Sequence, residues 1–417
     1  MVPWQTPLTR ASRPALRLPE SLSSMLSSTL PSPRLVGARY ATAAMFFAAG
    51  LGFGGWAALI PSYQHQLQLS DAELAMALLT FAIGAMLAMP MAGIVLTRIA
   101  GPKVAFISAL CFCLIQAMAP HTTGLIGLCA VVTLSGAFFG CFDVALNTHA
   151  TVVEKAWGHT IMSSMHALFS LGGFAAAVVV GGFIALGAGP TFCQTAICLL
   201  IAVVVIGFRS GLALPDVPVA EHDGPPSRRR PSAKVVGFGV LALLGVMVEG
   251  GMGDWSGVYF VSVIGTDLGA ATSAYAAFAL VMGLGRLTGD IVVRRLGATR
   301  TLWMGAAVAM AGLALALLWP LFETGIIGFA LVGLGIANIM PILLTASGRD
   351  PGAPAGVNVS VVAWFSYSGM LLGPPLVGFS AALIGLHASL AIFVVALGIV
   401  GSFSWLATPT PANAKSE

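Results

Sequence analysis

Long apolar runs, broken by short polar interruptions, recur along this chain. Runs of ~20 apolar residues, the length a helix needs to cross a bilayer, fall near 40–61, 74–96, 103–120, 123–147, 160–186, 191–211, 235–261, 270–292, 300–319, 324–346, 356–382 and 386–406. The pattern predicts an all-α integral membrane protein with twelve spans. The connections at 62–72, 121–122, 187–190, 262–269, 320–323 and 383–385 carry no Lys or Arg. The alternate connections and the span ends beside them hold Arg98, Lys103, Lys155, Arg209, Arg228, Arg229, Arg230, Lys234, Arg294, Arg295, Arg300 and Arg349, and of the 19 basic residues only Arg286 lies away from a span end. By the positive-inside rule, both termini are expected in the cytoplasm.

The spans divide six and six. A basic N-terminal tail is expected over 1–36 and a first six-helix bundle over 37–211. A cytoplasmic linker follows at 212–234, then a second bundle at 235–407 and a short tail at 408–417. The first segment is rich in Arg and Ser with Glu20 its one acid. That composition suits a transit peptide, or a disordered tail or wrongly chosen upstream start. The linker's Pro and Arg content makes it flexible. Its Arg228–Arg230 run is explained by orientation and lipid headgroups, without nucleic acid.

Composition narrows the class further. The chain is 58% hydrophobic and 8% charged, with mean hydropathy +0.94, against about 25% charged residues in soluble domains. All six cysteines (Cys111, Cys113, Cys129, Cys141, Cys193 and Cys198) fall in expected spans, as small packing residues. Neither a metal site nor a cofactor is expected. There is no Gly-x4-Gly-Lys-Ser/Thr phosphate loop for ATP. Ser163, Ser164 and His166 lack an oxyanion motif, so an enzyme is not expected.

The halves repeat. Gly93-x4-Arg98-x2-Gly101 recurs as Gly289-x4-Arg294-x2-Gly297, and Phe169-Ser170 with Gly173 as Phe365-Ser366 with Gly369. Gly182-Phe183 recurs as Gly378-Phe379, and all three pairs are displaced by 196 residues. Each half starts on the same side of the membrane, so the copies are parallel. A site is expected between them near the midplane. The stretch Glu249-Gly-Gly-Met-Gly-Asp-Trp255 also looks like a counterpart of Gly50-Leu-Gly-Phe-Gly-Gly-Trp56.

On these residues the chain resembles the major facilitator superfamily, over 40–406. The loop after span 2 is a degraded copy of that family's signature, with Thr97 and Val293 where the family has Asp. Phe142-Asp-Val-Ala-Leu-Asn147, Ile161 through Gly173 and Glu249 through Tyr259 look like the YbjJ-like permeases, which are similar to the fucose permease group. The resemblance implies two pseudo-symmetric six-helix bundles, with spans 1, 4, 7 and 10 around a cavity and 3, 6, 9 and 12 outside. It also implies a proton-coupled permease of the bacterial inner membrane, and a sugar only loosely.

Polar residues inside the spans are the candidates, because each costs at least ~2.5 kcal/mol at mid-membrane. Glu249, Asp143 and His166 are the proton-coupling candidates. Trp56, Asn147, Asp254, Trp255, Asn338, Asn358, Trp364 and Tyr367 are the cavity candidates. Trp56 and Trp255 suit either ligand stacking or interfacial anchoring. Asp254 suits an outer gate or a solvated helix end. Arg286, Asp290, Arg98 and Arg294 are the gate or ion-pair candidates, with Arg286 pairing either Asp290 one turn on or Asp143 in the other half. The expected function is secondary active transport of a small polar solute by a monomer in lipid. Export of drugs or metabolites is the alternative, and a non-transporting receptor or scaffold a remote one.

Overall fold

In the computed structural model, which describes residues 32–212 and 230–408, the chain is built of long helices. They are α1 (Pro33–Leu67), α2 (Asp71–Leu96), α3 (Gly101–His121), α4 (Leu125–Trp157), α5 (Met162–Ala185), α6 (Pro190–Leu212), α7 (Ala233–Ile264), α8 (Leu268–Leu296), α9 (Ala298–Leu318), α10 (Phe322–Gly348), α11 (Ala355–Ile384) and α12 (Leu386–Ser402). Among the described residues, eleven are long and apolar enough to cross a membrane, and α12 is a shorter apolar helix. Most of the expected tail and linker, and residues 409–417, lie outside the described residues.

Local chemistry sets the helix ends. The α1 helix starts at Pro33, inside the stretch expected to be tail, because the Ser32 hydroxyl accepts the Leu35 N–H at 3.3 Å and proline suits a first turn. Ser70 and Glu73 form a reciprocal capping box at the start of α2. The α4 helix runs about ten residues past its expected end and stops at Gly158, whose φ of +77° favours glycine. Just beyond it, the Glu154 carboxylate accepts the Ile161 and Met162 N–H groups that α5 leaves open, at 2.8 and 3.0 Å. The α10 helix breaks at Ala337 and Asn338. Pro341 follows, with no N–H for the Ala337 carbonyl.

The duplication is visible in the packing. Within the first six helices α1 packs on α5 and α2 on α4; within the second six α7 packs on α11 and α8 on α10. The same close approaches recur, displaced by 196 residues on α7 and α12 and by 197 on α11. Gly54 lies against Gly173 and Gly55 against Ile197; Gly250 lies against Met370 and Gly251 against Phe393. Lipid offers no hydrophobic drive between helices, so these small residues set how near two backbones come. The equivalence is therefore Gly54-Gly55 with Gly250-Gly251. Trp56 and Trp255, which lie 199 apart, are not counterparts, contrary to the sequence expectation.

The principal contacts between the two bundles are α5 with α8, α2 with α11, and α1 with α7 and α8. None involves α3, α6, α9 or α12, which lie on the outside. At the end away from the Lys/Arg loops the bundles are closed. Pro61 of α1 meets Gly257 of α7, and Ala75 and the Asp71 carbonyl of α2 meet Gly378 of α11. The chain is thus caught with its non-basic end shut.

A methyl group on Gly54 would run into the backbone of Gly173, whereas one on Gly182 would meet nothing within 4 Å. Gly54→Ala should therefore lower stability by at least ~1–3 kcal/mol, the usual cost of overpacking, and Gly182→Ala should not. Thermal melts of the two variants in one detergent test this.

Candidate functional site

The strongest polar contact in the apolar interior joins three helices. Arg286 of α8 gives its Nη2 to both carboxylate oxygens of Glu249 on α7, each at 2.9 Å. Its Nη1 donates to the Ser170 hydroxyl on α5, in the other bundle, at 2.8 Å. The side chains are 7% and 14% exposed, and this is the one ion pair among the described residues. Glu249 stands sixteen residues into α7, or ~24 Å along the helix axis at 1.5 Å per residue, deep in the bundle. Ser163 of α5 donates to the Arg286 carbonyl at 2.9 Å, so main chain and side chain of one residue both reach across the bundle boundary. His166, one turn from Ser163, sets its ring edge-on to Phe46 with centroids 5.4 Å apart.

The expected partners of Arg286 are not the observed ones. Asp290 is exposed at the basic end of α8 and Asp143 lies on α4. A desolvated guanidinium needs a carboxylate desolvated with it, and Glu249 supplies that, while Asp290 keeps its water. Arg98 and Arg294 are exposed and form no ion pair among the described residues.

A second link crosses the boundary at α4 and α11. The Tyr367 hydroxyl donates to Asp143 Oδ2 at 3.0 Å, and the Asn147 amide donates to Asp143 Oδ1 at 2.9 Å. Asp143 and Asn147 thus act as one unit, as their i,i+4 spacing allows. The glycines on the same helix serve α2 instead, Gly136 against Phe81 and Gly140 against Ala85. Trp364, one turn from Tyr367, is 64% exposed.

The remaining candidates are placed differently. Trp255 is fully buried and its indole N–H donates to the Pro374 carbonyl at 2.9 Å; Trp56 packs on Tyr63 with centroids 5.3 Å apart. Neither ring anchors at a membrane surface. Asn358 is buried and its amide donates to the Asp350 and Ala353 carbonyls at 2.9 and 3.2 Å, which makes it an anchor for the α10–α11 loop. Asn338 sits in the α10 break and donates to the Gly285 carbonyl at 3.3 Å, next to Arg286. Asp254 is buried rather than at a solvated helix end, and its Oδ1 has no hydrogen-bond partner.

Two participants were not singled out from the sequence. Ser170 stands in the sequence only as part of the repeated Phe-Ser pair, which points to no guanidinium. Tyr275 of α8 packs against Phe53 and faces Gly173 and Gly253 of both bundles. Its signal is a lone phenol in the small-residue run Ala271-Thr-Ser-Ala-Tyr-Ala-Ala277.

Two pseudo-symmetric membrane bundles with a buried polar cluster between them define a class, that of alternating-access carriers. The comparisons agree. The chain matches the Major Facilitator Superfamily over residues 42–374. It is 36% identical over 353 residues to an uncharacterised MFS-type transporter of Yersinia pestis, covering 84% of this chain and 90% of that one. A variant of the nucleoside transporter NupG has the same fold, with TM-score 0.70 at 16% identity over 89% of this chain and all of that one. So does a variant of the E. coli fucose:proton symporter FucP, at TM-score 0.58 and 17% identity over 89% and 98% of the two chains. This chain belongs to the Major Facilitator Superfamily and is a multi-pass membrane transporter, not an enzyme.

Removing one partner of the buried pair leaves the other uncompensated. Glu249→Gln should cost ~3–5 kcal/mol, and Glu249→Leu with Arg286→Met should recover most of it. Melting temperatures of the single and double variants decide: a single variant as stable as wild type would show that the pair contributes no net stability.

Proposed function

We propose that this chain is a proton-coupled secondary transporter that moves a small polar, sugar-like solute across the bacterial inner membrane as a monomer, with both termini cytoplasmic. The observation that carries the reading is the Arg286–Glu249–Ser170 contact. It places a charged, hydrogen-bonding cluster at the boundary of the bundles, at a depth where a purely structural scaffold would gain more from apolar packing. Around it, Asp143, Asn147 and Tyr367 add donors and acceptors suited to hydroxyl groups, and exposed Trp364 adds a flat apolar face. The Lys/Arg distribution supports the orientation. Among proteins of the same fold, one is named as a nucleoside transporter and another as a fucose:proton symporter, both carriers of hydroxyl-rich solutes.

The proposed cycle follows from the contacts. With the non-basic end shut, Pro61–Gly257 and Ala75–Gly378 seal the outer route. The Arg286–Ser170 and Asp143–Tyr367 hydrogen bonds also join the bundles. Opening outward requires the outer contacts to part. Protonation of an acid at the boundary, with Glu249, Asp143 and His166 as the first candidates, changes the charge that those bonds must neutralise and so biases the two states.

The test is transport by the full-length protein in proteoliposomes. A screen of sugars, nucleosides and lipophilic cations by thermal shift selects the solute, because a ligand of the folded state raises the melting temperature. Accumulation of a sugar or nucleoside should then follow an inward proton gradient and collapse when a protonophore dissipates it. If lipophilic cations alone shift the melt and are pumped against the gradient, the chain is an exporter and the uptake reading is wrong.

A further inference from the structure

Two carboxylates lie five residues apart on α7 and meet opposite surroundings. Glu249 has both oxygens on a guanidinium. Asp254 is 7% exposed, and its Oδ1 is fully buried with no hydrogen-bond partner. Among the described residues, Asp254 has no ion pair either. An ionised carboxylate so placed costs several kcal/mol that nothing offsets, whereas its neutral form costs far less.

The position of Asp254 matters as much as its isolation. It lies on the stretch of α7 that closes the non-basic end. Its helix neighbour Gly253 faces Phe53 of α1 and Tyr275 of α8, and Gly257 faces Pro61 of α1. One turn earlier, Gly250 faces Met370 of α11. The groups from α1 and α11 at these contacts are not titratable. Asp71 of α2, whose carbonyl meets Gly378 nearby, has its carboxylate taken by the Gln64 amide at 2.9 Å. On α8 the titratable neighbour is Tyr275, whose ring lies by Gly253, next to Asp254. Parting α1 from α7 at Pro61–Gly257 would wet Asp254, and closing them seals it in.

We infer that Asp254 carries the transported proton in this closed state, while Glu249 is held by Arg286. The proton is taken up by the Asp254 carboxylate when the non-basic end is open, and closure buries the resulting neutral acid. This assignment rests on the proton-coupled reading above and places the carrier outside its first candidates.

The test is infrared spectroscopy of the reconstituted full-length protein at neutral pH, read at the C=O stretch of protonated carboxyl groups. Wild-type protein should show the band, and carbon-13 labelling of aspartate, not of glutamate, should shift it. Asp254→Asn should remove the band and Glu249→Gln should retain it. In proteoliposomes Asp254→Asn should lose at least tenfold of gradient-driven accumulation, and its solute exchange should become independent of pH. A band that shifts with labelled glutamate, or survives Asp254→Asn, overturns the assignment. So does Asp254→Asn accumulating like wild type under a gradient, which would leave proton coupling itself standing. Wild-type accumulation that ignores the gradient would instead sink the coupling reading, whatever the band does.

Discussion

A guanidinium buried in lipid-embedded protein has to be neutralised and hydrogen-bonded where it lies, and much of this structure follows from how that is done for Arg286. Its charge is met by Glu249 within its own bundle and its remaining donor by Ser170 in the other. The first contact holds α7 to α8. The second holds the bundles together through a neutral hydroxyl. A neutral cross-boundary partner is easier to break than an ion pair, since hydrogen bonds contribute about 0.5–1.5 kcal/mol, or 1.5–3 to a charged group. The expensive interaction therefore stays inside one bundle and the cheaper one lies at the boundary between the two.

How the helices come together was largely legible in advance. Span length, basic-loop alternation and the 196-residue repeat each rest on a constraint that lipid imposes along the chain: apolar length, charge placement and glycine at close approaches. The glycines beside Phe169 and Phe365 lie in the α1–α5 and α7–α11 packing, with the α11 contacts one residue beyond the repeat's own register. Where two glycine clusters are dense, register is ambiguous from sequence. The visually obvious tryptophan match is three residues away from the register that the backbone contacts define.

The site was legible only in its membership. Glu249, Arg286, Asp143 and Tyr367 stand out as polar residues in apolar runs. Which of them touch depends on helix rotation and on distances between bundles, neither of which is written in local spacing. Hence Asp290, the helical neighbour at the right interval, proves to be exposed, and Glu249, thirty-seven positions away, is the partner. Asn358 shows the converse. An amide in an apolar span looked like a cavity donor, but a loop that needed two carbonyl partners took it. Tyr275 escaped notice because a phenol in a small-residue helix is unremarkable until α1 and α5 are packed against it.

The duplication also makes the two bundle boundaries unequal. In the register that the contacts define, where Gly181 on Thr272 matches Gly378 on Ala75, the counterpart of Arg286 is Met89 and that of Ser170 is Tyr367. The α5–α8 boundary thus carries a charged tie between the matching positions, whereas Tyr367 turns to Asp143 of α4. Each seam is therefore held by its own chemistry, a guanidinium on one side and a phenol on the other, so no single substitution loosens both.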